Sequence, residues 1–327
     1  MSEHLTEEDI ISLITGMLAG QEASPDLLLG PGDDCALFQA EGPLAATTDM
    51  LVENIHFSTR YMNFWEIGYR AMAANLSDLA AMGARPRYGL LSLGLAEPPQ
   101  AGQVKDLLKG MLDLAARHGL LLIGGDTVKA PVLTINLCLL GENPSPLLRS
   151  RAEAGDSILV TGPLGLSAAG LACLRQGLRD PVFSSLISAH KLPSPRLAAG
   201  QALAASGLAG AVMDISDGLA TDLGRLSRSS RVKAVVEAPL LTLGRELRQA
   251  AERLNQDPLL WALCGGEDFE LLFTCRRQNE KRLVKLLTQS AQVAPYRIGR
   301  VEPGSGVYLR RQEDCREISM EGYDHFR

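Results

Sequence analysis

Two adjacent carboxylates in a glycine-rich stretch, Gly30-Pro31-Gly32-Asp33-Asp34, are followed closely by a third behind two hydroxyls, Thr47-Thr48-Asp49. Like charges a few ångströms apart raise each other's pKa unless a cation lies between them. Oxygen-only ligands suit Mg²⁺, which keeps some waters and takes its remaining ligands from carboxylates and substrate phosphates. The chemistry this points to is a magnesium–phosphate site. The plain alternative is an Asx-type turn with a solvated acidic tip.

The pattern recurs along the chain. Asp78 lies in Asn75-Leu76-Ser77-Asp78, Asp126 follows Gly124-Gly125, Asp214 and Asp217 flank Ile215-Ser216, and Glu267 and Asp268 follow Gly265-Gly266. Each has a structural alternative. Asp78 could pair with Arg85 or Arg87, Asp126 could cap a turn, and Ser216 or Asp217 could cap a helix. No H-E-x-x-H, G-x-S-x-G or kinase H-R-D set is present, and no Walker A loop. The first lysine is Lys105, so metal ions rather than a P-loop lysine would have to neutralise phosphates. Phosphoryl transfer fits, because the protein there mainly positions groups and stabilises spreading charge. Paired glycosidase carboxylates are the rival chemistry. The number of acids and an aromatic content of only 5% count against a sugar cleft.

The elements that must hold these acids read as α/β. Thr6 with Asp9 forms an N-capping pair for a helix over 6–19. Strands are expected over 36–39 and 44–48, paired as a hairpin with acids at its entry and at its exit, Asp49. Trp65, Tyr69, Met72, Leu76 and Leu79 recur at helical spacing, which puts Asn75 and Asp78 on one alanine-lined face. Leu120–Ile123 reads as a buried strand ending in a Gly124-Gly125 turn, so that Asp126 lies where open α/β sheets present ligands. Strands over 132–140 and 156–161 follow. In the second half, a short strand leads into Asp214, and Glu270 leads into a strand over 271–274. The Gly141–Pro146 segment is short, polar and proline-rich, and it marks a boundary between domains 1–141 and 147–327.

The whole chain has 327 residues, net charge −6 and six cysteines with no C-x-x-C pair. That balance offers no basic field to nucleic acid or an anionic membrane. No apolar run is long enough to span a bilayer. Unclustered cysteines and an acidic N-terminus point to a reducing, cytoplasmic setting.

Taken together and in order, Gly30–Leu37, Thr47–Phe57, Asn75–Pro86, Gly124–Thr127, Arg149–Gly162, Met213–Leu223, Gly265–Thr274 and Gly322–Phe326 resemble the thiamine-monophosphate kinases, of the aminoimidazole ribonucleotide synthetase-like superfamily. The resemblance implies two α/β domains with an ATP cleft between them and a homodimer built on the N-terminal domains. It implies transfer of the γ-phosphate of ATP to thiamine monophosphate, with several Mg²⁺ ions. Carried over by motif position, Asp33, Thr47, Thr48, Asp49, Asp78, Asp126, Asp214 and Asp217 would bind metal, with Asp33, Asp49, Asp78, Asp126 and Asp214 central to catalysis. Gly125, Asp126, Arg149 and Ser216 would contact ATP. His56, Glu267 and Tyr323 would contact the acceptor, where an aromatic ring suits a flat cationic heterocycle. The acceptor phosphate has its second pKa near about 6, so no strong general base is needed.

The chain departs from the family pattern in places. Pro31 stands where Ile or Val is common, and Asn54 where Gly often precedes the histidine. Arg151 replaces a common Gly, which leaves open whether Arg149 or Arg151 meets the phosphates. A sister enzyme of the superfamily, and a non-catalytic Mg²⁺–nucleotide-binding protein, are the other readings. The first lacks the early Cys and Lys, or the terminal Cys, that such sisters use. Against the second stand His56 and the Gly-Tyr-Asp-His-Phe tail.

Overall fold

Thr6 opens the first helix as its spacing predicts. The Asp9 amide donates to Thr6 Oγ1 at 3.2 Å, and the Thr6 amide donates back to the Asp9 carboxylate at 2.8 Å. The computed structural model describes residues 6–22, 24–31, 35–96 and 100–318. Asp33, Asp34 and Tyr323, with the rest of the C-terminal tail, lie outside the described residues. The chain divides into two units, Met1–Leu79 with Arg85–Pro144, and Ala80–Ala84 with Ser145–Arg327. Both mix helices and sheet.

The first unit runs α1 (Glu7–Leu18), β1 (Leu27–Leu29), β2 (Leu37–Phe38), β3 (Leu44–Val52), α2 (Phe64–Met82), β4 (Arg85–Leu95), α3 (Ala101–Arg117), β5 (Leu121–Lys129) and β6 (Thr134–Glu142). Its sheet has the order β3-β6-β4-β5, with only β4–β5 parallel. Apolar residues alternate along these strands. Leu51, Leu91, Leu93, Ile135, Leu137 and Leu139 are buried on one face. On α2, Ile67, Ala71, Met72, Leu76 and Leu79 are buried as well. Helices α2 and α3 touch through glycines. A Cβ on Gly68 would lie 1.9 Å from the Leu107 carbonyl oxygen, and one on Gly110 would lie 2.0 Å from that of Trp65.

Two sequence expectations need correction here. The strand at 37–38 pairs with β1, not with β3; β3 instead takes β6 as its neighbour over nine residue pairs. Local spacing shows that a hairpin is possible but carries no information on which strand wins the long-range pairing. Gly124, Gly125 and Asp126 form no turn after a strand either. They lie inside β5, where the register shifts so that Leu122 pairs with Gly89 but Gly124 with Leu90. Ile123 is the extra residue of a bulge. Gly125 is required there because a Cβ would fall 1.8 Å from the Leu91 carbonyl oxygen. A glycine inside a strand commonly marks such a close approach.

The second unit continues with β7 (Asp156–Val160), α4 (Leu166–Arg175), α5 (Ser184–Lys191), α6 (Leu197–Ser206), β8 (Ala209–Asp214), α7 (Leu219–Ser230), β9 (Lys233–Glu237), α8 (Arg245–Leu254), α9 (Pro258–Cys264), β10 (Leu271–Arg276), α10 (Glu280–Ser290), β11 (Tyr296–Glu302), β12 (Val307–Arg311) and β13 (Asp314–Glu317). Its seven strands run β13-β12-β9-β11-β7-β10-β8. Ile158, Val160, Leu223, Leu226, Val236 and Leu272 belong to one buried cluster on this sheet. Ala169, Cys173, Leu186 and Leu247 form a second cluster among α4, α5 and α8. Among the described residues no helix is long and apolar enough to cross a membrane, and none of the six cysteines is in a disulfide.

Candidate active site

In the first unit, β3 and α2 bring one set of acids together. Alternation along β3 sends Thr47, Asp49 and Leu51 toward one face, and a hydrogen bond from Thr47 Oγ1 to Asp78 Oδ2 identifies that face as the one under α2. The Asp49 amide donates to Asn75 Oδ1 at 3.0 Å, and Asn75 in turn donates from Nδ2 to the Ala71 carbonyl at 3.1 Å. Buried Asn75 thus ties the helix to the strand one turn from Asp78. Asp78 accepts from a hydroxyl here, and Arg87 reaches Asp26 and Glu142.

Thr48 and Asp126 lie on the opposite face of the sheet. Met50, Asn136, Ser92 and Asp126 are cross-strand neighbours in a row, and Thr48 Oγ1 donates to Asn136 Oδ1 at 3.0 Å. β3 and β5 are the two edges of the sheet. Three strand spacings of about 4.8 Å therefore separate the row's ends, roughly 14 Å. A single chain does not bring Asp126 to Asp49 or Thr48. Among the described residues no group of three or more His, Cys, Asp or Glu side chains is arranged to hold a metal ion.

His56 follows β3 in a tight turn. The Val52 amide donates to His56 Nδ1 at 3.0 Å, so in the neutral ring Nε2 carries the proton. Asn54 has φ +64°, a left-handed conformation that Gly adopts freely and Asn tolerates better than most. That accounts for Asn at a position where glycine is common.

In the second unit the acids lie on two loops knitted together beyond the ends of β8 and β10. The Ile215 amide donates to the Glu270 carbonyl at 2.8 Å, Phe269 to Ile215 at 2.9 Å and Glu267 to Ser216 at 2.7 Å. Asp214 is buried at the end of β8. The Ser216 and Asp217 amides both donate to Asp222 Oδ2 at 3.0 Å. Arg225 bridges Asp217 at 2.5 Å and Asp222 at 2.7 Å. Burial, then the charge of Asp217, pushes the Asp222 carboxyl up to about 6.

The Gly265–Glu270 acids take different partners. Asp268 accepts from the amides of Gly165 at 2.6 Å and Ser167 at 3.1 Å, at the start of α4. Burial pushes its carboxyl up to about 7 against the pull of those amides. Glu270, 5% exposed, accepts a fork from Arg196 at 2.8 and 2.5 Å and a bond from Thr161 Oγ1 at 2.5 Å. Glu267 is partly exposed, with its carboxylate 3.9 Å from His190 Nδ1. Arg149 and Arg151 are both exposed. Asp222, Arg225, Arg196 and Glu270 are not among the site residues expected from sequence. Asp222 and Arg225 carried a signal, being acid and base in the first turns of the helix after the Asp217 loop. The Arg196–Glu270 pair, 74 residues apart, carried none.

The family model for AIR synthase related protein, N-terminal domain, matches residues 32–142, and that for the C-terminal domain matches residues 153–312. Thiamine-monophosphate kinase of Escherichia coli strain K12 is 38% identical over 92% of this chain and 93% of its own length. The crystal structure of thiamine-monophosphate kinase from Stenotrophomonas maltophilia K279a superposes with TM-score 0.83 at 35% identity, covering 93% of this chain and 96% of that one. AaThiL complexed with AMPPCP and TMP superposes with TM-score 0.77 at 31% identity, over 98% and 97% of the two chains.

Proposed function

Because the chain belongs to the AIR synthase related family, and within it to the thiamine-monophosphate kinases, we propose that its acids and His56 serve the in-line transfer of the γ-phosphate of ATP to thiamine monophosphate. The enzyme is a thiamine-phosphate kinase that gives thiamine diphosphate and ADP. The observation that carries this reading is the near full-length match to a kinase complexed with AMPPCP and TMP.

The chemistry suits the residues present. The acceptor phosphate is its own nucleophile, with a second pKa of about 6, and needs no strong general base. Two mutually repelling anions must instead be held in line. His56, with Nδ1 taken by the Val52 amide, presents Nε2–H as a donor to an acceptor oxygen. Glu267 and Tyr323 are the side chains we assign to the cationic acceptor, as a carboxylate and an aromatic ring suit it. Gly125, Asp126, Arg149 and Ser216 meet the nucleotide.

The donor set fits Mg²⁺. It consists of carboxylates and hydroxyls supplied in ones and twos per element, leaving coordination positions for phosphates and water. Asp33, Thr47, Thr48, Asp49, Asp78, Asp126, Asp214 and Asp217 would hold it. When bound there, Mg²⁺ draws charge from the phosphoryl oxygens. Arg225 already balances part of the charge of Asp217.

Dimerisation completes the reading. Leu44, Met50, Leu90 and Val128 share the exposed sheet face with Thr48 and Asp126, and are 40–56% exposed. A second copy packed on that face buries them and can carry Asp126 to its partner's Thr48. The enzyme works in the cytoplasm, where ATP is supplied.

The test is an assay with ATP, Mg²⁺ and thiamine monophosphate that resolves thiamine diphosphate. Its appearance, dependent on all three, is the expected result. A folded, nucleotide-binding protein that makes none would shift the assignment to a sister enzyme of the family.

A further inference from the structure

We infer that the pair of half-buried Arg196 and buried Glu270 is a positioning device that sets Glu267 against the acceptor; this rests on the reading of Glu267 given above. Glu267 and Phe269 both have positive φ, +67° and +51°. Such backbone is costly for residues other than glycine and persists only where its surroundings over-determine it. Three features do so here, all within the second unit. The backbone bonds of Glu267, Phe269 and Glu270 to Ile215 and Ser216 hold one side of the loop. Asp268 holds its middle to the start of α4.

Glu270 holds the end that enters β10. Its carboxylate is filled by the Arg196 fork and Thr161 Oγ1. Gly162 leaves the space, since a Cβ there would lie 2.4 Å from Glu270 Oε1. Burial opposes the charge of Arg196, and the hydrogen bonds and charge of Glu270 more than offset it, so the guanidinium pKa is raised. The Glu270 carbonyl meanwhile receives the Ile215 amide next to Asp214. One residue therefore fixes both the loop bearing Glu267 and its register on the loop bearing Asp214 and Ser216. A charged pair that only stabilised the fold could be replaced by apolar residues at little cost. Here its fork geometry decides where the Glu267 carboxylate stands.

Glu270→Gln removes the charge and one of the two fork acceptors. The expected result is a rise of about tenfold in KM for thiamine monophosphate, as displacement of a binding group from its working geometry gives. KM for ATP should stay within about twofold. Arg196→Lys keeps the charge but loses the fork; it should raise the same KM less, in a protein that still folds. Hydrogen exchange at the Glu267 and Phe269 amides should quicken in both variants. Lower thermal stability with both KM values unchanged would reduce the pair to a structural role and overturn the proposal. Glu267→Ala separates the two layers. If it raises the acceptor KM while the pair variants do not, the positioning role alone falls. If none of the three variants moves that KM, the reading of Glu267 falls with it.

Discussion

At the scale of single residues, the acids divide by what already balances their charge. Asp217 and Asp222 share the guanidinium of Arg225, whereas Asp78 accepts from the hydroxyl of Thr47. Asp78→Asn retains an acceptor for Thr47 and should leave the melting temperature nearly unchanged. It should lower turnover by at least about a hundredfold, the usual scale for removing one transition-state charge partner. Turnover within tenfold of the unaltered enzyme would remove Asp78 from the catalytic set. Asp268 makes a prediction of a different kind. In the folded state burial pushes its carboxyl up from 3.8 to about 7. The folded state therefore binds more protons than the unfolded state between those values. This group's contribution to stability is greatest below the lower value and falls as pH rises to the upper one. Asp268→Asn has no such group, so the stability of the unaltered protein relative to the variant should decline from about pH 4 to about pH 7 and then level off. Urea unfolding across that range measures it, and a difference that grew with pH would contradict the assigned shift.

At the scale of elements, what could be read from sequence was what is local. Thr6 and Asp9 are three residues apart and form the expected cap. The apolar spacing of 65–79 gives the long helix, and with it the shared face of Asn75 and Asp78. Strand pairing is not local. The Gly124-Gly125 pair looks like a turn in one dimension and becomes a bulge only when β4 lies beside β5. The same limit hid the sheet edges, so the ordered motifs marked candidate acids without showing that Asp126 and Asp49 lie far apart in one chain. The family resemblance supplied roles that spacing alone left open between capping and catalysis. Helix α2 illustrates how an element carries the site. Its distance from α3 is set by Gly68 and Gly110, where neither helix can accept a Cβ without moving. Gly110→Ala would meet the Trp65 carbonyl oxygen at 2.0 Å and the Tyr69 amide at 2.8 Å. It should cost roughly 1–3 kcal/mol, the usual price of overpacking. Because α2 also bears Asn75 and Asp78, kcat should fall beyond what the loss of folded protein explains. A denaturation curve alongside kcat at saturating substrate checks both, and an unchanged curve would show that α3 moves aside freely.

At the scale of the whole molecule, the open question is which copies of the acids act together. Asp126 and Asp49 stand on opposite edges and opposite faces of one four-stranded sheet. No rotation of side chains closes roughly 14 Å. If both serve one phosphate-binding centre, two chains must build it. In the proposed dimer the exposed Leu44, Met50, Leu90 and Val128 face would be the apolar surface of a two-fold contact, in which each chain offers the same patch to the other. The consequence is specific. Asp49→Asn and Asp126→Asn homodimers should each be inactive, since every site lacks one acid. Mixed and allowed to exchange, half the dimers become hybrids. In each hybrid one site carries both substitutions and the other carries none, so about a quarter of the original activity should return. Restoration should disappear when Val128→Asp is placed in both chains, because burying an unpaired charge on that face opposes association. If mixing restores nothing while sedimentation shows hybrids to be present, the acids act within one chain and a different face must join the copies.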